Sequence, residues 1–166
     1  MTNDKDKTLV VDAIPFTHSG HQLYWANLTG QELIDCSTND HYDASETPDD
    51  SDGGYQRPRE KSRSRITQIG TFLANGDVNG FWLSPITLGS RSPLVFDETT
   101  RRLQLPCDLM IIDGQARVGG IRYAINVMGH LPCADIQIPV KIIEMSDRAE
   151  AAYIRGFYQR SAPMAY

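Results

Sequence analysis

Nowhere does this 166-residue chain carry an apolar run long enough to cross a bilayer as a helix, so a helical membrane anchor is not expected. Its beginning, MTNDKDKTLVVDA, is too acidic and too weakly apolar for a secretory signal, which points to a cytoplasmic protein. Cysteine is scarce. Cys36, Cys107 and Cys133 are odd in number and show no paired spacing, which argues against both a disulfide framework and a zinc centre and leaves buried or incidental thiols. No Gly-Lys-Ser/Thr occurs, so there is no Walker-type phosphate loop. A Gly-x-Gly-x-x-Gly dinucleotide fingerprint is also missing, as is any internal repeat. His18 and His21 have a spacing that could serve a metal, but neither a cysteine nor a convincing carboxylate set stands near them, so exposed histidines are expected and no metal is assigned.

What is present is the composition of a soluble globular chain, with a mean hydropathy of -0.37 and 40% hydrophobic residues, enough for one domain with a real core. The net charge of -5 would ordinarily disfavour a nucleic-acid partner, but the acid is concentrated. Asp35, Asp40, Asp43, Glu46, Asp49, Asp50 and Asp52 fall in one stretch without Lys or Arg, and the rest of the chain holds 14 acidic against 16 basic residues. Directly afterwards, YQRPREKSRSR places Arg57, Arg59, Lys61, Arg63 and Arg65 within nine positions. Such a run can neutralise DNA phosphates, and a solvated basic face is the alternative.

Read in order, residues 1–17 form a frayed N-terminal arm, with Leu9 to Val11 able to pair at an edge, and residues 18–166 form the single domain. QLYWAN (22–27) reads as a strand, and Glu32 to Cys36 as its return across a turn at Gly30. Residues 37–54, poor in apolar side chains, are expected to be a mobile acidic loop; a Ca-binding loop is the other reading, although the EF-hand spacing is not there. The loop could also fold back over the basic run. Helices are expected at about 62–74, 117–128 and 147–159. Strands are expected at 85–88, 94–96, 102–105 and 136–143, the middle two joined as a hairpin, with Pro139 confining the last to an edge or a bulge.

The organising stretch is DLMIIDGQARVGGIRYAINVMG (108–129). Leu109 to Ile112 is too short for a helix and suits a strand buried on both faces. Val118, Ile121, Ile125 and Met128 then recur at helical spacing, and Gly129 stands where a left-handed residue would end the helix. The first turn of a helix presents unpaired N–H groups and a partial positive charge. Gly114 lets a ligand approach the backbone, Gln115 can donate and accept, and Arg117 can hold two phosphate oxygens. The alternative is an ordinary strand-to-helix turn with Arg117 solvated. Asp113, at the strand end, is the candidate catalytic carboxylate, positioning a metal ion or activating water, or else simply caps the turn. Gly119 and Gly120 suit close helix packing.

IIDGQARVGGIRYA, preceded in the chain by YQRPREKSRSRITQIGTFL, resembles the two signatures of DGQHR-domain proteins, within the larger group of ParB-type partition proteins and sulfiredoxins. Within that group the phosphorothioation-associated DNA regulators are the members it is most similar to. Ala116 departs from the pattern, which has histidine there, and no thiol lies in the loop where sulfiredoxins carry their cysteine. The resemblance implies an α+β fold, a small mixed sheet with flanking helices. It also implies a phosphate or nucleotide pocket at Gly114, Gln115 and Arg117, joined by Arg57 and Arg59, with ATP or CTP and Mg as the ligand. The function expected is a DNA-associated regulatory or accessory protein of a DNA modification system, here a shortened member or a fragment. The runner-up is a nucleotide hydrolase that works without DNA. DNA is the expected partner, a nucleotide and a homodimer mate are further candidates, and no membrane partner is expected. On this reading Arg117→Ala should weaken nucleotide binding more than it lowers stability.

Overall fold

In the computed structural model the described residues are 7–38, 60–76 and 84–145, with backbone alone for 60–64. They form one mixed eight-stranded sheet with helices against it, an α+β arrangement. The strands are β1 (Thr8–His18), β2 (His21–Thr29), β3 (Ser37–Thr38), β4 (Ile86–Ser90), β5 (Val95–Asp97), β6 (Arg102–Pro106), β7 (Leu109–Asp113) and β8 (Gln137–Glu144). Their order across the sheet is β3-β7-β4-β8-β2-β1-β6-β5. Only β3 with β7 and β4 with β8 run parallel; the other neighbours are antiparallel. The helices are α1 (Gly30–Cys36), α2 (Glu60–Asn75), α3 (Gln115–Arg122) and the single turn α4 (Pro132–Asp135). Among the described residues no helix is long and apolar enough to cross a membrane.

The core follows from strands buried on both sides. Leu109 and Ile111 of β7 join Ile86, Leu88, Val140, Ile142, Val118 and Ile121 in the main cluster. Met110 and Ile112 face the other way, into a smaller cluster with Leu23, Ile143 and Met145. Side chains alternate across a strand, so a strand apolar at every position has to be covered twice. This is what the run Leu109 to Ile112 predicts.

Some parts of the chain depart from the reading of the sequence. The pairing expected of Leu9 to Val11 is present, against β6, but Thr8–His18 is an eleven-residue strand rather than a frayed arm, and its second half pairs with β2. Alternation of Val11 and Ala13, buried, with Val10, Asp12 and Ile14, exposed, carries that strand. Its hairpin turns at Ser19 (φ 52°) and Gly20 (φ 78°), the double positive φ that suits the twist of a two-residue connection. Glu32 to Cys36 is likewise not a return strand. Thr29 Oγ1 accepts from the Glu32 N–H at 3.1 Å and the Thr29 N–H donates to Glu32 Oε1 at 2.9 Å, a capping box that starts α1 instead.

Other elements lie close to expectation. α2 spans Glu60–Asn75, and the hairpin of β5 and β6 has its polar connection, where Asp97 Oδ1 accepts from the Thr99 N–H at 2.8 Å. Pro139 does not confine its strand to an edge or a bulge as expected: β8 is interior, with Pro139 opposite Asn27 of β2, but the ladder to β4 begins one residue later, at Ile86 with Val140. The missing N–H therefore falls where β4 makes no demand on it. α3 ends earlier than periodicity suggests: Tyr123–Val127 widens into a π-helical turn, in which the Met128 N–H donates to the Tyr123 carbonyl at 3.0 Å. Gly129, at φ 65°, ends the helical segment as expected. Ser37 and Thr38, expected at the start of the mobile loop, instead pair as β3 with β7, because β7 offers them a strand partner; the rest of that loop and the helix expected at 147–159 lie outside the described residues.

Candidate functional site

β7 delivers Asp113 at its last position, and the chain turns at Gly114 into α3. Gly114 has φ 104° and ψ 23°, a left-handed conformation that glycine adopts at little cost. Space is tight as well. A Cβ there would stand 3.0 Å from both Ile86 Cγ1 and Arg117 Nη2. With glycine as N-cap, α3 begins without a side-chain cap, so the N–H groups of its first turn are offered to whatever lies above them. Gln115 and Ala116 are half-buried at that mouth.

Arg117 corrects the sequence reading. Its guanidinium is not solvated, nor is it held out toward a guest. Nη1 donates to the main-chain carbonyl of Ser84 at 2.6 Å and to that of Pro85 at 3.1 Å, and Nη2 approaches Asp113 Oδ2 at 3.5 Å. The side chain keeps 21% of its exposure. A planar fork with several donors suits this task, because it can satisfy two adjacent carbonyls and still face a carboxylate. Arg117 thus fastens the segment entering β4 to the end of β7, the two strands that pair at Thr87 and Asp113. Neither Ser84 nor Pro85 stands out in the sequence. A main-chain acceptor leaves no trace in residue identity, so this use of Arg117 could not be read from it.

Asp113 remains half-exposed, with 49% of its side-chain surface open beside its arginine partner. Among the described residues no group of three His, Cys, Asp or Glu is placed to hold a metal. Asp113 is thus the carboxylate at the turn, and it already faces Arg117, with alanine at position 116.

The second motif lies against the first. A Cβ on Gly119 would meet Ile66 Cδ1 at 2.8 Å, one on Gly70 would meet Tyr123 Cδ1 at 2.7 Å, and one on Gly120 would run into Ile69. These contacts advance together along both helices, so α2 and α3 run in the same sense and their N-terminal ends lie on one side. The pairing of Gly119 and Gly120 with close packing is as the sequence suggests. Arg65 is exposed on α2 near that end. Lys61 and Arg63 occupy its first turns, while Arg57 and Arg59 lie outside the described residues.

Comparison of the chain with protein-family models, with curated proteins and with solved structures returns no match in any of the three.

Proposed function

We propose that this chain is a DNA-associated regulatory or accessory protein of a DNA modification system of the phosphorothioation type, with a phosphate or nucleotide group received at the Asp113–Arg117 turn. The observation that carries this reading is the packing of α2 on α3 through Gly70, Gly119 and Gly120. The first turns of α2, which carry Lys61, Arg63 and Arg65, and the glycine turn before α3, about fifty residues apart in sequence, are thereby read as facing the same side. Polyphosphate backbones are bound by such a combination: positive side chains for charge, and oriented N–H groups for individual oxygens.

The division of labour differs from that implied by the resemblance. Gln115 and the first-turn N–H groups meet the anion, Lys61, Arg63 and Arg65 supply charge, and Arg117 holds the turn in shape. Asp113 keeps Arg117 in place from the other side. Binding without hydrolysis is the reading that the partnering of Asp113 with Arg117 supports.

Titration with duplex DNA, ATP and CTP at two salt concentrations, with phosphate release followed in parallel, tests this. Duplex affinity should fall steeply with salt. Lys61, Arg63 and Arg65 replaced together by alanine should flatten the dependence of log K on log salt by up to roughly 0.9 for each phosphate left unneutralised. Absence of DNA binding at low salt would refute the proposal, and DNA-independent release of phosphate would replace it with a nucleotide hydrolase.

A further inference from the structure

Cys36 ends α1 and Cys107 lies in the two-residue link between β6 and β7, positions 71 apart in the chain. Their Sγ atoms stand 2.7 Å from one another. Both thiols are free. A covalent sulfur–sulfur bond measures about 2.05 Å, so closing one here needs a shift well under an ångström. The backbone around the pair is already fixed. Ser37 and Thr38 form β3 and pair in parallel with Leu109 and Met110 of β7, and the Cys107 N–H donates to the Lys7 carbonyl at 3.0 Å.

We propose that Cys36 and Cys107 are a reversible dithiol–disulfide site, oxidised by a low-molecular-weight disulfide and independent of the DNA-binding reading. Cys107 is half-buried and Cys36 only 3% exposed, so the reagent enters at Cys107. The Cys107 thiolate attacks one sulfur of the reagent, which releases one small thiol and leaves a mixed disulfide. Cys36, losing its proton, then attacks the Cys107 sulfur and releases the second small thiol. Two protons and two electrons leave the protein, and the reagent is reduced to two thiols. Burial, and after it the neighbouring Cys107 sulfur, pushes the Cys36 thiol up from its ordinary range. Attack by Cys36 on the reagent is slow for both reasons, since the reagent cannot reach it and its thiolate is scarce, whereas the Cys107 sulfur of the mixed disulfide lies beside it.

The consequence is mechanical. β3 is a two-residue edge strand held to β7 by little pairing, and a bridge from Cys36 to Cys107 fastens it at its start. β7 leads on to Asp113. A cross-link between positions this far apart also restricts the unfolded chain.

The full chain, incubated with oxidised glutathione at graded ratios to the reduced form and then alkylated under denaturing conditions, reports on the site. Expected is the loss of two hydrogens in intact mass, one cross-linked peptide joining Cys36 to Cys107, and alkylation of Cys133 alone. The melting temperature should rise by roughly 5–15 °C over the reduced protein. Cys133→Ser should leave the cross-link in place and Cys107→Ser should abolish it. Cys107 carrying glutathione without a cross-link, a bridge through Cys133, or full alkylation of Cys36 and Cys107 after oxidation would each overturn the proposal, and none of these readouts depends on a variant that folds poorly.

Discussion

Among single residues, Gly114 and Arg117 decide the shape of the turn. Gly114→Ala places a methyl group in a left-handed backbone and 3.0 Å from Ile86 Cγ1. A loss of about 1–2 kcal/mol is expected in urea denaturation, more than at Gly129, where φ is also positive but nothing lies within 4 Å of the added carbon. Arg117→Ala leaves the carbonyls of Ser84 and Pro85 without their donors and should cost about 1–3 kcal/mol. Arg117→Lys should recover only part of this, since an ammonium cannot copy the fork. Stability measured by denaturation therefore falls in both variants, and any weakening of anion binding follows from the altered turn. The sequence marks Gly114 as a turn glycine between a strand and a helix, but reads it as room for a ligand; its left-handed backbone is seen only in the structure. The role of Arg117 is not legible in the sequence, because its partners are main-chain oxygens of residues 84 and 85 that arrive from a distant segment.

Between elements, glycine is what allows α2 and α3 to touch. Gly120→Ala collides with Ile69, and Gly70→Ala with Tyr123, so each should cost about 1–3 kcal/mol despite the better helix propensity of alanine. If the basic end of α2 and the turn before α3 act together, both variants should also weaken DNA binding. α1 shows how local signals compete. Thr29 and Glu32 have the capping-box spacing, yet Leu33, Ile34 and Cys36 also fit a short strand, and the cap decides the matter. Thr29→Ala should lower stability by about 1 kcal/mol. The connection of β5 and β6 gives a pH test. The Thr99 N–H, and less strongly the Thr100 N–H, hold the Asp97 carboxyl below its ordinary value. A depressed carboxyl contributes stability above its unfolded value and loses it as pH falls through the folded one. The difference in melting temperature between the native chain and Asp97→Ala should accordingly be present at neutral pH and disappear in acid.

For the molecule as a whole, most strands and the helix expected at 62–74 are readable from periodicity, because a buried strand and an amphipathic helix impose different spacings on apolar residues. Position within the sheet is not. β1 reads as an arm because a charged, polar sequence precedes it, although Val11 and Ala13 point into the core. The partners of its first half, Leu103 and Leu105 among them, come from about ninety residues further along the chain, and local composition carries no record of such a partner. The common end of α2 and α3 is likewise a product of packing, and it is the feature on which the proposed DNA contact rests. Amide spectra recorded during titration with a short duplex test it without intermediaries. The N–H signals of Gln115 and Ala116 should move together with that of Arg65 and give one dissociation constant, weakened by salt for all three. Movement at Arg65 with Gln115 and Ala116 unchanged would show that the helix mouth takes no part, and the proposed site would fall.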